Sequence, residues 1–163
     1  MIVIGSDHGG FSLKEEIKKH LEARGTQYVD IGCHNTNSVD YPDIAKEACQ
    51  KITDGQCEAG ILICGTGIGI SIAANKIPGI RAALCHDLFT AQACREHNNA
   101  NVLALGARVL EPQLALEIVD VWLKTEFAGD RHQRRLDKIT GIEDTCAVEH
   151  AQELANIVQE QKN

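Results

Sequence analysis

The sequence has no apolar run approaching the roughly 20 residues that a membrane-spanning helix needs. It also lacks basic excess. A net charge of -7 argues against nucleic acid or an anionic membrane as the main partner. A small anionic substrate stays open, because a local basic cluster can override the global sign. The seven cysteines, an odd number without regular spacing, do not read as a disulfide framework. Cys33-His34, Cys85-His86 and the Cys94/His97 pair lack the doubled spacing of a zinc site, so no metal is expected. There is no internal repeat and no low-complexity linker. Met1 leads directly into Ile2-Val3-Ile4, with no basic n-region or cleavage site. The expectation is a reduced, soluble, cytoplasmic protein.

What is present is ordinary in bulk and unusual in one place. A chain of 163 residues with 44% apolar content supports one domain with a sizeable core. The unusual place is GILICGTGIGISI, residues 60–72. Ile61, Leu62 and Ile63 suit a buried parallel strand. Cys64, Gly65, Thr66, Gly67, Ile68 and Gly69 follow, and then a small-residue run that suits a helix over 71–75. Such a turn leaves backbone N–H groups aimed outward, which makes an anion cradle. Cys64 at the strand tip would have its thiolate favoured by the same field. A plain tight turn remains an alternative, as does a buried structural cysteine. A dinucleotide fingerprint fails at Ile70, although Asp87 lies about where a ribose-binding acid belongs and keeps that reading open. No Gly-Lys-Ser/Thr follows, which excludes a Walker loop.

Along the chain, strands are expected over residues 1–5, 28–31, 59–63, 80–85 and 102–105. Helices are expected over 11–24, 44–52, 88–96 and 111–127, besides the one after the glycine loop. Leu13, Ile17 and Leu21 recur every fourth residue in the first helix. Five strand-then-helix units predict a parallel sheet covered on both faces. Ligands bind such sheets at the carboxyl ends of the strands. Asp7-His8, residues 35–43, the glycine loop and His86-Asp87 all follow strands. His97-Asn98-Asn99 precede the fifth strand and reach that edge only if the preceding helix ends there. The tail carries DRHQRRL, a cationic segment in an acidic chain, with Arg131 and Arg135 on one helix face. A break is expected at Thr140–Gly141. A second helix over 145–161 follows, with Val148, Leu154, Ile157 and Val158 near one stripe.

Five co-linear motifs resemble the B-type ribose-5-phosphate isomerases and the galactose-6-phosphate isomerase subunits of the same family. They are GSDHGG (5–10), DYPD (40–43), CGTGIGISIAANK (64–76), HNNANVLALGAR (97–108) and DRHQRRL (130–136). The resemblance covers residues 1–142, and residues 143–163 read as a helical extension of the same domain. It implies a Rossmann-like α/β/α sandwich with a five-stranded parallel sheet. The implied activity is interconversion of ribose 5-phosphate and ribulose 5-phosphate, without metal or nucleotide. The implied assembly is a homodimer or homotetramer whose active sites are built from two subunits. Cys64 matches the family's base, and no carboxylate lies between Cys64 and Lys76 to replace it. The N–H groups from Gly65 through Gly67 and Ile68 to Gly69 would stabilise the enediolate, with Thr66 on its oxygens. His97 with Asp7 resembles the ring-opening couple, Asn98 would position hydroxyls, and Tyr41 would lie against the sugar. His8, Arg131 and Arg135 resemble a phosphate clamp assisted by Arg108, with His132 placed nearby. A hexose-6-phosphate isomerase, or a sugar-phosphate-binding subunit of a hetero-oligomeric isomerase, is the alternative.

Overall fold

The computed structural model describes residues 1–160. They form two compact units, one ending at Phe127 and the other beginning at Ala128. In the first unit strands and helices alternate: β1 (Ile2–Ser6), α1 (Phe11–Ala23), β2 (Tyr28–Asp30), α2 (Tyr41–Thr53), β3 (Ala59–Cys64), α3 (Ile68–Ala74), β4 (Ala82–Leu84), α4 (Leu88–Glu96), β5 (Val102–Gly106) and α5 (Pro112–Lys124). All strand pairs are parallel, in the order β2-β1-β3-β5-β4. The expected α/β fold with a five-stranded parallel sheet is therefore what forms.

The three central strands explain the layering. Successive side chains of a strand point to opposite faces. Ile4, Ile61, Ile63, Leu103 and Leu105 join one apolar cluster with Leu13, Ile17 and Leu21 of α1, Cys94 of α4 and Ile118 and Trp122 of α5. Val3, Leu62, Cys64, Val102 and Ala104 join a second cluster with Ala45, Ala48 and Cys49 of α2 and Ile70 and Ala74 of α3. Burying each large aliphatic side chain stabilises the fold by about 1.5–3 kcal/mol. The chain runs from β1 outward to β2 and then returns past β1 to β3. That reversal opens a crevice between the carboxyl ends of β1 and β3, the usual place for a ligand.

One buried cation locks the edge of this arrangement. Lys14 is fully buried in α1, and its Nζ lies 2.7 Å from both carboxylate oxygens of Asp30 at the end of β2. Lys18 bridges to Asp30 as well, at 2.7 Å. Burial pushes the Asp30 carboxyl up, but Lys14, Lys18 and the Gly32 N–H outweigh it and hold it below the usual range.

Several boundaries differ from expectation. Helix α2 begins at Tyr41, because Pro42 fits the first helical turn, where no backbone donor is needed. Helix α3 begins at Ile68, and β4 is only three residues long. The second unit holds α6 (Asp130–Glu160), which runs through Thr140–Gly141 without the expected break. A glycine inside a helix costs only about 1 kcal/mol relative to alanine, and the Thr145 hydroxyl donates to the Gly141 carbonyl at 2.8 Å. The boundary drawn at 142/143 thus falls within one helix. Val148, Leu154 and Ile157 are exposed on it. The side chain of Val158, and residue 161 at the end of the expected helix, lie outside what is described. No described helix is long and apolar enough to cross a membrane.

Candidate active site

The crevice is built from β1 and β3 upward. The Asp7 N–H donates to the Ile63 carbonyl at 3.1 Å, which ties the loop after β1 to β3. The Asp7 carboxylate, 8% exposed, accepts from the Gly10 N–H at 2.9 Å. Glycine is required at position 10, since a Cβ there would sit 2.6 Å from the Ile63 carbonyl oxygen. His8 is half-buried, and its Nδ1 accepts from the Val39 N–H at 3.3 Å. A neutral His8 ring therefore carries its proton on Nε2.

Strand β3 ends on Cys64, which is 4% exposed. The Gly67 N–H donates to its Sγ at 3.1 Å, so the turn itself holds the sulfur. Gly67 makes that turn possible with φ +77, and a Cβ there would meet Leu84 Cδ1 at 2.4 Å. Thr66 is exposed, and its Oγ1 accepts from the Ile68 N–H at 3.3 Å. Among the described residues the N–H groups of Gly65 and Thr66 meet no acceptor. Tyr41 lays its ring over Gly69, where a Cβ would meet Cζ at 2.6 Å. The Arg108 N–H donates to the Gly65 carbonyl at 2.9 Å. Its guanidinium then folds back over Gly65, within 3.3 Å of a Cβ placed there. Asp7 Oδ1, the Gly65 nitrogen and Arg108 Nη2 lie 3.3, 3.3 and 3.5 Å from a Cβ built on Gly9. A carboxylate, a cation and the N–H of the residue that follows Cys64 thus surround one point. Such a set can move a proton and stabilise an oxyanion.

Among known proteins, the family model described as Ribose/Galactose Isomerase matches residues 2–139. The chain belongs to this family. Ribose-5-phosphate isomerase B of Escherichia coli (strain K12) is 49% identical over 142 residues, covering 87% of this chain and 95% of that protein. The solved ribose-5-phosphate isomerase B of Clostridium thermocellum is 56% identical with a TM-score of 0.87, covering 88% of this chain and 97% of its own. The Mycoplasma genitalium ribose-5-phosphate isomerase B, solved with bound ribulose-5-phosphate, is 44% identical with a TM-score of 0.84, covering 88% and 95%.

Within this ribose/galactose isomerase chain, two expected site residues stand apart from the rest. His97 ends α4, which runs back from the carboxyl end of β4. The carbonyls of Asn98 and Asn99 accept from Arg81 Nε at 3.2 and 3.0 Å, just ahead of β4. The Asn101 carbonyl then accepts from the Gly60 N–H, and β5 opens at Val102. Cys64 pairs with Gly106 at the other end of β5. Four residue steps of strand, about 13 Å, separate the two edges. The helix before β5 does end at His97, but at the amino edge of the sheet. Arg131 and Arg135 are exposed, four apart on α6, and belong to the second unit.

Asn75, the polar residue after the glycine loop, is committed to structure. Its side-chain amide donates to the Ala82 carbonyl and accepts from the Ala82 N–H at 2.8 and 2.9 Å, stitching α3 to β4. Among the described residues no group of three or more His, Cys, Asp or Glu is placed to hold a metal ion. Gly9 and Val39 lie in the marked stretches GSDHGG and 35–43 but carried no role of their own there; Gly9 leaves the space that Arg108 approaches, and the Val39 N–H orients His8.

Proposed function

We propose that this protein interconverts D-ribose 5-phosphate and D-ribulose 5-phosphate through an enediolate, with Cys64 as the base. The observation that carries the mechanism is the Cys64 sulfur at the tip of β3, held by the Gly67 N–H within the glycine turn that Tyr41 and Arg108 pack against. Moving the carbonyl from C1 to C2 requires removal of the C2 proton. Cys64 takes it and returns it to C1. The oxygens gain negative charge in between, and the Gly65 and Thr66 N–H groups supply donors for it. Losing one such donor costs about 10²–10³ in rate. The Thr66 hydroxyl shuttles a proton between the two oxygens.

The remaining roles follow from charge and position. His8 and Arg108 receive the phosphate with Arg131 and Arg135 supplied by a neighbouring subunit, whose fixed charge and planar donors suit it. Tyr41 packs on the sugar. His97 and Asp7 open the closed ring, and Asn98 positions hydroxyls. His97 lies at the opposite sheet edge from Asp7 in one chain, which favours a site completed by a second copy. We therefore infer a homodimer or homotetramer with shared active sites, acting in the cytoplasm without metal or nucleotide.

The test is isomerisation of ribose 5-phosphate by the purified protein in EDTA, beside allose 6-phosphate and galactose 6-phosphate. Fast pentose turnover supports the assignment. Turnover of a hexose phosphate alone keeps the enediolate chemistry and changes the substrate. Silence on all three contradicts the assignment and favours a binding subunit that lacks its partner.

A further inference from the structure

Outside the crevice, the first unit holds a pair of adjoining thiols that the isomerase chemistry does not use. Cys85 follows β4, and Cys94 lies in the last turn of α4. Their sulfurs are 3.7 Å apart, with the Cys85 S–H directed at Cys94 Sγ. Both are buried, Cys85 at 1% and Cys94 at 8% exposure. The Ala91 carbonyl lies 3.3 Å from Cys94 Sγ, and the Ala83 carbonyl 3.9 Å from Cys85 Sγ. Among the described residues no other two thiols share a hydrogen bond.

We propose that Cys85 and Cys94 form an oxidisable dithiol that closes to an intrachain disulfide under hydrogen peroxide, joining the end of β4 to α4. A disulfide needs about 2.05 Å between sulfurs, so the pair must close by less than 2 Å, and nine residues of chain already bring the two together.

The two thiols have different parts. The Cys85 hydrogen bond favours the Cys94 thiolate against the burial that opposes it, and the Arg95 charge adds to this. Cys85 is shifted upward, by that same hydrogen bond and by burial. Cys94 is also the more exposed of the two. It attacks one peroxide oxygen, the O–O bond breaks, and Cys94 becomes a sulfenic acid while one water leaves. The Cys85 sulfur then attacks the Cys94 sulfur, the S–O bond breaks, and the departing hydroxide takes the Cys85 proton as a second water. Two thiols and one peroxide give one disulfide and two waters.

The sequence supplies a direct readout. Arg81 and Arg95 place both cysteines in one tryptic peptide, residues 82–95, and Phe89 separates them for chymotrypsin. The full-length protein is treated with peroxide, denatured, alkylated with iodoacetamide and digested. The expected result is a peptide two hydrogens lighter that carries no alkyl group. It stays joined after chymotryptic cleavage at Phe89 and regains two alkyl groups after dithiothreitol. Cys94→Ser and, separately, Cys85→Ala should lose that species. Circular dichroism confirms that each variant is folded, and two variants guard against one failing to fold. Full alkylation of both cysteines after peroxide treatment would overturn the proposal. So would independent sulfinic acids, or a disulfide mapped to Cys146 or Cys33 instead.

Discussion

The two edges of the sheet carry similar chemistry on different architecture. At the carboxyl edge, three neighbouring strands deliver Asp7, Cys64 and Arg108 to one crevice, and backbone hydrogen bonds between their loops fix the spacing. At the amino edge, His97 and Asn98 stand on a helix end braced by Arg81. The difference follows from strand–helix alternation. A residue just after a strand and a residue just before one stand on opposite edges, however close their motifs look in a sequence. In the proposed mechanism the carboxyl edge would hold the reacting carbon, and the amino edge of one copy would serve the crevice of another.

Breaking the carboxyl edge has the largest expected effect. Cys64→Ala should lower turnover of ribose 5-phosphate by about 10³-fold or more, as expected for loss of a positioned base, while circular dichroism and melting stay near wild type. A fully active Cys64→Ala enzyme would move the base elsewhere. Gly67→Ala comes next. Its Cβ would strike Leu84 and the backbone of Leu105, at a φ of +77. We expect about 10²-fold lower kcat, because the displaced turn carries the Gly65 and Thr66 donors with it, with a lower Tm. An unchanged melting curve and kcat would show that the turn is not held as described.

The proposed phosphate contacts would separate binding from chemistry. Arg135→Ala should raise KM about tenfold, the scale of one charge-assisted hydrogen bond, with kcat changed far less. An equal fall in kcat would instead place Arg135 at the reacting carbon. The smallest effect on turnover is expected at Asp30→Asn, on the edge strand β2. This substitution leaves buried Lys14 with only the more exposed Glu15 carboxylate, 3.3 Å away, and should cost about 3 kcal/mol in urea unfolding, with kcat unchanged at 25 °C. The Asp30 carboxyl is held below the usual range. Its stabilisation is therefore complete above the ordinary aspartate value of about 3.9 and is lost as pH falls through the lower folded value. Wild type should lose stability over that acid range and Asp30→Asn should lose less. Parallel pH curves would remove Asp30 from the acid transition.

Much of the carboxyl edge was legible because its signals are local. A short apolar run, a cysteine and three spaced glycines define β3 and its turn, and Leu13, Ile17 and Leu21 mark the buried face of α1. What stayed hidden depends on tertiary partners. No sequence signal marks Lys14 as buried, because its partner Asp30 meets it only in the fold, across the β2 edge. Tyr41 reads as loop because Pro42 looks like a breaker, yet proline is well suited to a first helical turn. The continuity of α6 through Gly141 escaped because one glycine costs too little to stop a helix. The edge on which His97 falls follows from the alternation alone, once α4 is known to run the full way back.

The decisive measurement is a mixed-oligomer assay. Cys64→Ala and His97→Ala chains carrying different tags are co-expressed, and turnover is compared with each parent oligomer. If His97 of one copy serves Cys64 of another, a two-fold hybrid retains one intact site, and a random mixture should recover about a quarter of wild-type turnover. No recovery above the inactive parents, with hybrids shown to form by double-tag purification, would contradict a shared active site.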